Sequence, residues 1–253
     1  MSLTKLVLRF AAPLPKLESF QRYLFLGPHP DDIEIGAGAT AAKLADKGKD
    51  VCFLVCTDGR FGTDRAPDGL TGDTLAALRR EEAGASASLL GVHDLRFLSF
   101  RDGGFYDARE LQRAIAEAVS SFRPDVVLAP DPCVTSECHT DHLNVGEAAR
   151  RVACFASNPG IMEGLGLSPA PVQALAFYMT AKPNCFVKTS GYLERQLRSI
   201  YDCHKSQFPA RDSVEVYLKL RAADFGLRSF RGCAEGFRVL GRTQMHCLPE
   251  AGD

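Results

Sequence analysis

The chain has no excess of charge of either sign: 30 lysines and arginines stand against 31 aspartates and glutamates. With no positive field, nothing draws in a nucleic acid backbone or an anionic membrane, and neither is expected as a partner. It has no Cys-x-x-Cys pair either, although it holds nine cysteines. An odd number scattered along the chain argues against a disulfide framework and points to a reduced, cytoplasmic setting. Cys52 and Cys56 lie on an apolar run, Val51 to Cys56, where cysteine packs as a small hydrophobe. A structural zinc held by Cys133, Cys138 and Cys203 lacks the usual spacing. The apolar patch from Met1 to Phe10 is too short to span a bilayer and no cleavage pattern follows it, so nothing marks export. Internal repeats and low-complexity tracts are also missing. A chain of 253 residues with 45% hydrophobic content can bury one large core, so a single domain over residues 1–253 is expected, with a homo-oligomer left open.

What is present is an alternation of strand-like and helix-like stretches. Strands are expected at Tyr23 to Gly27, Asp50 to Cys56, Leu95 to Phe100, Asp125 to Pro130 and Val172 to Tyr178, with helices near 36–48, 73–90, 109–122 and 141–156. Residues 190–204 and 214–228 also read as helical and pack onto the sheet. The pattern predicts an α/β fold, Rossmann-like, with a mostly parallel sheet, helices on both faces and the active site at the carboxyl ends of the strands. The loops 59–72 and 158–171, rich in Gly, Pro and Asp, are long enough to face a substrate.

Two short stretches carry chemistry: His29-Pro30-Asp31-Asp32 and His139-Thr140-Asp141-His142. Each follows an apolar run, Leu24 to Leu26 and Val126 to Ala129, so each lies where an open α/β sheet places its ligand crevice. A catalytic zinc takes three ligands from His, Asp and Glu and keeps a position open for water. His29 and Asp32, three apart on a turn, can aim at one ion, while Asp31 beside them is placed to take a proton from the attacking water. In the second stretch one histidine is available to ligate and the other to face the substrate; spacing does not decide which. Each stretch also has a plain reading, as a turn of Pro and Asp or as a helix start capped by Thr140 or Asp141.

At these residues the chain resembles a known family, the zinc-dependent N-acetylglucosaminyl deacetylases related to the PIG-L and LmbE proteins. The resemblance takes in Ile35-Gly36-Ala37-Gly38-Ala39-Thr40, Thr57-Asp58-Gly59, Leu78-Arg79-Arg80-Glu81-Glu82, Asp102-Gly103 and Arg123-Pro124-Asp125, in order over about residues 23–155. It extends weakly to Cys203-His204-Lys205-Ser206-Gln207 and Ala234-Glu235-Gly236-Phe237-Arg238. It implies that His29, Asp32 and His142 are the zinc ligands, Asp31 the general base and His139 the electrophile or general acid, with Asp141 orienting His139 from behind. Arg79 and Asp102 match positions that contact sugar hydroxyls; read plainly, Arg79 is a surface partner of Glu81 or Glu82 and Asp102-Gly103 a turn. The implied activity is removal of an N-acetyl group from an N-acetylglucosamine-like sugar or its conjugate. In that reaction Asp31 takes the proton of the attacking water, and zinc together with protonated His139 stabilises the oxyanion. Zinc is the expected cofactor, although two histidines and a carboxylate also suit Fe2+. A soluble small-molecule amino sugar is the expected partner.

Three rival readings stand beside this one. Gly36-Ala37-Gly38 opens a helix after the first strand as a dinucleotide loop would, but no third glycine follows and Asp31, Asp32 and Glu34 would repel a pyrophosphate. A sugar-binding protein on the same fold would leave Asp31 and His139 without a task. An amidase acting on another acyl group, or on a thiol conjugate, would use the same residues. His93 is expected in a turn, and His204 and His246 as ordinary structural or surface histidines.

Overall fold

The computed structural model describes residues 7, 8, 10–246 and 248; most of the Met1 to Phe10 patch lies outside them. Seven strands form one sheet: β1 (Arg22–Gly27), β2 (Asp50–Thr57), β3 (Asp94–Phe100), β4 (Val126–Pro130), β5 (Ala174–Tyr178), β6 (Cys185–Lys188) and β7 (Ala234–Gly241), in the order β3-β2-β1-β4-β5-β7-β6. The first five are parallel, and β7 runs antiparallel between β5 and β6. The helices that follow β1 are α1 (Asp32–Asp46), α2 (Gly72–Leu90), α3 (Ala108–Phe122), α4 (Thr140–Phe155), α5 (Pro159–Gly164), α6 (Leu193–Arg198) and α7 (Ser213–Ser229), with a π-helical turn at Ser199–Cys203. No helix among the described residues is long and apolar enough to cross a membrane.

The inner parallel strands β1, β2, β4 and β5 read as apolar runs because both faces are buried, whereas the edge strand β3 is only partly covered. Along β1, Leu24 and Leu26 pack on one side with Leu111, Ile115, Val145 and Val152 of α3 and α4. Tyr23 and Phe25 pack on the other side with Ala37, Ala41 and Leu44 of α1. Cys52 and Cys56 are buried in the first of these layers, as expected of small apolar side chains.

The antiparallel strand β7 and its edge neighbour β6 are absent from the expected pattern. The reason is that β7 buries charged residues: Glu235 accepts hydrogen bonds from Ala39 N and Thr40 N at 3.2 and 2.7 Å, so Ala-Glu-Gly-Phe-Arg carries no apolar alternation. Helix α1 starts at Asp32 rather than near residue 36, its first turn carrying the acidic Asp32 and Glu34 that suit a helix N-terminus. It kinks at Ala37, and Glu235 receives the N–H groups that the kink releases. Gly36 serves packing: a Cβ there would sit 2.2 Å from the Tyr178 ring. Loop 158–171 also departs from expectation. It contains α5, and Ser168 and Pro169 bond to Ser120 and Arg123 at the far end of α3, on the side of the sheet where the strands begin.

Candidate active site

The strand order reverses between β1 and β4, whose pairing joins Tyr23 to Val126, Leu24 to Val127 and Phe25 to Leu128. In such sheets ligands bind at this switch point, outside the carboxyl ends of the strands. The loop after β1 carries His29 to Asp31 and leads into α1; the loop after β4 ends at α4, whose N-cap is His139. The cap is therefore neither Thr140 nor Asp141: Nδ1 of His139 accepts the Asp141 N–H at 3.3 Å.

The two loops bring three donors together. Asp32 Oδ2 accepts the backbone N–H of His29 at 2.8 Å, which folds the loop so that His29 Nδ1 lies 3.0 Å from the same oxygen. His142 Nε2 comes within 3.3 Å of it from the other side. Ligand atoms of His29, Asp32 and His142 all lie within 4.8 Å of one another, a set able to hold a metal ion. The second nitrogen of each ring is held by another carboxylate: His29 Nε2 by Asp141 at 3.0 Å and His142 Nδ1 by Glu137 at 2.9 Å. Rings that ligate a metal through one nitrogen are commonly held through the other in this way, so the donor set fits zinc or iron.

A second cluster, His29, His139 and Asp141, also lies within ligand range. Its carboxylate is already engaged, with Asp141 accepting from Gly103 N at 2.7 Å, Gly104 N at 2.9 Å and the Tyr106 hydroxyl at 2.9 Å. An ion there would displace bonds that fix the loop, and the first set is the better cage. The expected Asp141–His139 pairing is also corrected. Asp141 Oδ2 is 3.8 Å from His139 Nδ1 and bonds His29 instead. The first turn of α4 directs the buried Asp141 side chain inward, while His139 remains half exposed. Among the described residues no such cluster includes a cysteine; Cys133 and Cys138 are exposed.

The electrostatics follow from these pairs. Burial opposes the charge on His29, but hydrogen bonds to Asp141 and Asp32 outweigh it and push the imidazole up to about 10. His142 is raised to about 9, against burial, by the charge of Asp32. Asp141 goes down to about 2, against burial, through His29, Gly103 N–H and Tyr106. His139 moves the other way, lowered by burial and by the neighbouring His29 and His142. A histidine raised from 6.5 on folding stabilises the fold below that pH, and the gain is lost as pH rises through its folded value. Metal-free protein is therefore expected to lose thermal stability between pH 6.5 and about 10. Zinc held by these two rings would take the place of the ring protons there, and the loss would be much smaller. Melting curves across that range, with and without zinc, check this; parallel curves would separate the metal from these two rings.

Asp31 projects beside the donor set without joining it and pairs with Arg79, whose Nη2 is 3.0 Å from Asp31 Oδ2. Arg79 is not a surface partner of Glu81 or Glu82: it is 4% exposed, donates to Gly59 O at 2.9 Å, and has a buried Nε with no partner among the described residues. Glu82 instead receives Ser206 N and its hydroxyl at 2.7 and 2.6 Å. Asp102-Gly103 does lie at a turn, but the Asp102 side chain is buried and its carboxylate accepts Phe61 N–H at 3.0 Å. His204 is fully buried against Glu34, 3.2 Å away, in keeping with a structural histidine. Glu137 escaped the sequence reading because it lies in an irregular loop five residues before His142; only the fold-back of that loop, with Glu137 Oε1 accepting His139 N–H at 2.8 Å, brings it to the site.

Comparison with known proteins agrees with this geometry. Over 96% of its length the chain is 38% identical to the diacetylchitobiose deacetylase of Thermococcus kodakarensis, covering 94% of that protein. It is 33% identical to a 1D-myo-inositol 2-acetamido-2-deoxy-alpha-D-glucopyranoside deacetylase of Kineococcus radiotolerans, over 68% of this chain and 55% of that one. Its fold superposes on the solved N,N'-diacetylchitobiose deacetylase of Pyrococcus horikoshii with a TM-score of 0.87 at 32% identity, covering 98% of this chain and 97% of the other. The family model of the GlcNAc-PI de-N-acetylases matches residues 24–153, the span that carries both loops of the site, and the chain belongs to this PIG-L family.

Proposed function

We propose that the protein is a zinc-dependent N-deacetylase that removes acetate from an N-acetylglucosamine-bearing sugar and leaves a free amine. The observation that carries this reading is the placement of Asp31: a carboxylate held by Arg79 next to, but outside, a set of two histidines and one aspartate. Bound at His29, Asp32 and His142, zinc would polarise the acetyl carbonyl and acidify the attacking water. Arg79 occupies Oδ2 of Asp31, so Oδ1 is the atom that takes the proton. His139 uses Nδ1 to cap α4, which leaves Nε2 as its donor toward the carbonyl oxygen. With its pKa lowered, the ring acts here as a neutral Nε2–H donor, not as the protonated form the sequence suggested. The proton on Asp31 then passes to the leaving amine. The Nε of Arg79 is enclosed by protein, so Arg79 holds Asp31 rather than reaching a sugar, and of the two expected sugar contacts the carboxylate of Asp102 is the one proposed to meet a hydroxyl.

The test is acetate release from N-acetylglucosamine derivatives by metal-stripped protein, with and without one equivalent of zinc, and with Fe2+ under anaerobic conditions. Release that depends on zinc is the expected result. Release from longer acyl amides but not from acetamides would move the reading to a different amidase. No release despite tight metal uptake would leave a sugar-binding protein.

A further inference from the structure

We propose that α7 is a docking helix whose outward face pairs with the same face of a second copy of this chain. The helix has two apolar faces. Leu218, Ala222 and Phe225 are buried against the body of the molecule, with the Phe225 ring 5.6 Å from that of Phe186. On the opposite side Val216, Leu220, Leu227 and Phe230 are 57%, 66%, 75% and 95% exposed, and Ala223 between them is exposed as well. A surface helix needs one apolar face to join its core, so a second face of this kind is left over for another molecule.

The spacing of the outward face says what kind of molecule. Val216, Leu220, Ala223, Leu227 and Phe230 follow one another at steps of four, three, four and three residues. This is the pattern, with a period of about 3.5 residues, by which two helices interlock side chains along a shared seam. Phe230 closes the row. It caps α7 at φ 56°, in the left-handed conformation where glycine is the usual residue and a side chain is strained. Within one chain that strain gains nothing, because nearly all of Phe230 lies in solvent.

A second copy fits this face better than other occupants. A two-fold axis sets the stripe against itself, so its repeat matches its partner by construction, and the small Ala223 at its middle lets the two backbones approach. Lys219 and Asp224 border the stripe on its two sides, half exposed at 51% and 58%, and give a like helix both signs of charge to meet. Two such faces bury on the order of 1,000 Å², the size at which an interface becomes specific. An anionic membrane would instead favour borders of lysine and arginine alone, which Asp224 breaks.

The experiment is sedimentation equilibrium of the full chain between about 1 and 100 μM, the range in which an interface of this size is populated, for the unsubstituted protein, Leu220→Glu and Leu227→Glu. The unsubstituted chain is expected to associate. Each substitution should weaken association by more than about 100-fold, because a carboxylate in the seam must be stripped of water without a partner. Melting temperature and zinc uptake should stay as they are, since neither leucine touches the core or the His29, Asp32 and His142 set. The two positions are separate, so a folding defect at one leaves the other to decide. A chain that stays monomeric throughout overturns the proposal, and so does an assembly whose size and affinity both substitutions leave unchanged. In a particle larger than a dimer, the substitutions must reduce its size. A monomer that binds phosphatidylglycerol vesicles, and loses that binding with Leu220→Glu, would assign the face to a membrane and refute the pairing.

Discussion

Asp31→Asn is expected to lower turnover by about 10²–10⁴, the usual contribution of a positioned general base, while the protein keeps one metal per chain. Asparagine preserves the shape and an oxygen that can still accept from Arg79, so the geometry of Asp31 against Arg79 Nη2, now 3.0 Å, needs little adjustment. What is lost is the capacity to hold a proton. The ligand set should be untouched because Asp31 is not part of it. A secondary effect is a fall in melting temperature, since the buried Arg79 would then face a neutral amide rather than a carboxylate. Metal analysis beside steady-state kinetics separates the two effects. Full turnover in a metal-replete Asp31→Asn protein would remove Asp31 from the chemistry.

His142→Ala should act on the metal itself. It deletes one of three donors and leaves Asp32 and Glu137 each without a ring that now lies 3.3 and 2.9 Å away. Loss of an outer partner of a metal-binding histidine weakens affinity by about 10–100-fold. Deleting a ligand must cost more, so His142→Ala is expected to lose more than about 100-fold and to come through purification largely without metal. Glu137→Gln provides the scale: it keeps a hydrogen bond to His142 but removes the charge, and its loss should fall inside the smaller range. Chelator competition measures both without recourse to activity. Equal affinities for the His142→Ala and unsubstituted proteins would move the ion elsewhere, with the His29, His139 and Asp141 cluster the next place to look.

The parts of this molecule that could be read in advance are those where one periodicity or one tetrapeptide carries the information. β1, β2, β4 and β5 are apolar on both faces and announce themselves, and His29, Asp32 and His142 lie within two short stretches. β7 could not be read this way because it buries Glu235 and Arg238, whose partners come from α1 and from Asp131. The Arg79–Asp31 pair spans 48 residues and the Asp141–His29 pair 112, and nothing local in either segment encodes the other. The role of Glu137 depends on how an irregular loop folds back, for which sequence offers no period. The resemblance pairs Asp141 with His139, whereas the first turn of α4 turns the carboxylate to His29, a partner 112 residues away that no local pattern encodes.

The pairing of β1 with β4 across the switch point also sets a timetable. His29 leaves the ribosome 112 residues before Asp141, its partner in the folded site. At roughly 5–20 residues per second, that interval is about 5–20 s of synthesis. During it the first half of the site exists as a histidine and two aspartates with no second histidine to complete it. On the proposed ligand set, a nascent chain with two donors would hold an ion only weakly, so loading would follow the emergence of α4 and its docking against β4. The metal taken by such a site would then be set by what is free at that late moment, rather than by what the chain meets as it is made.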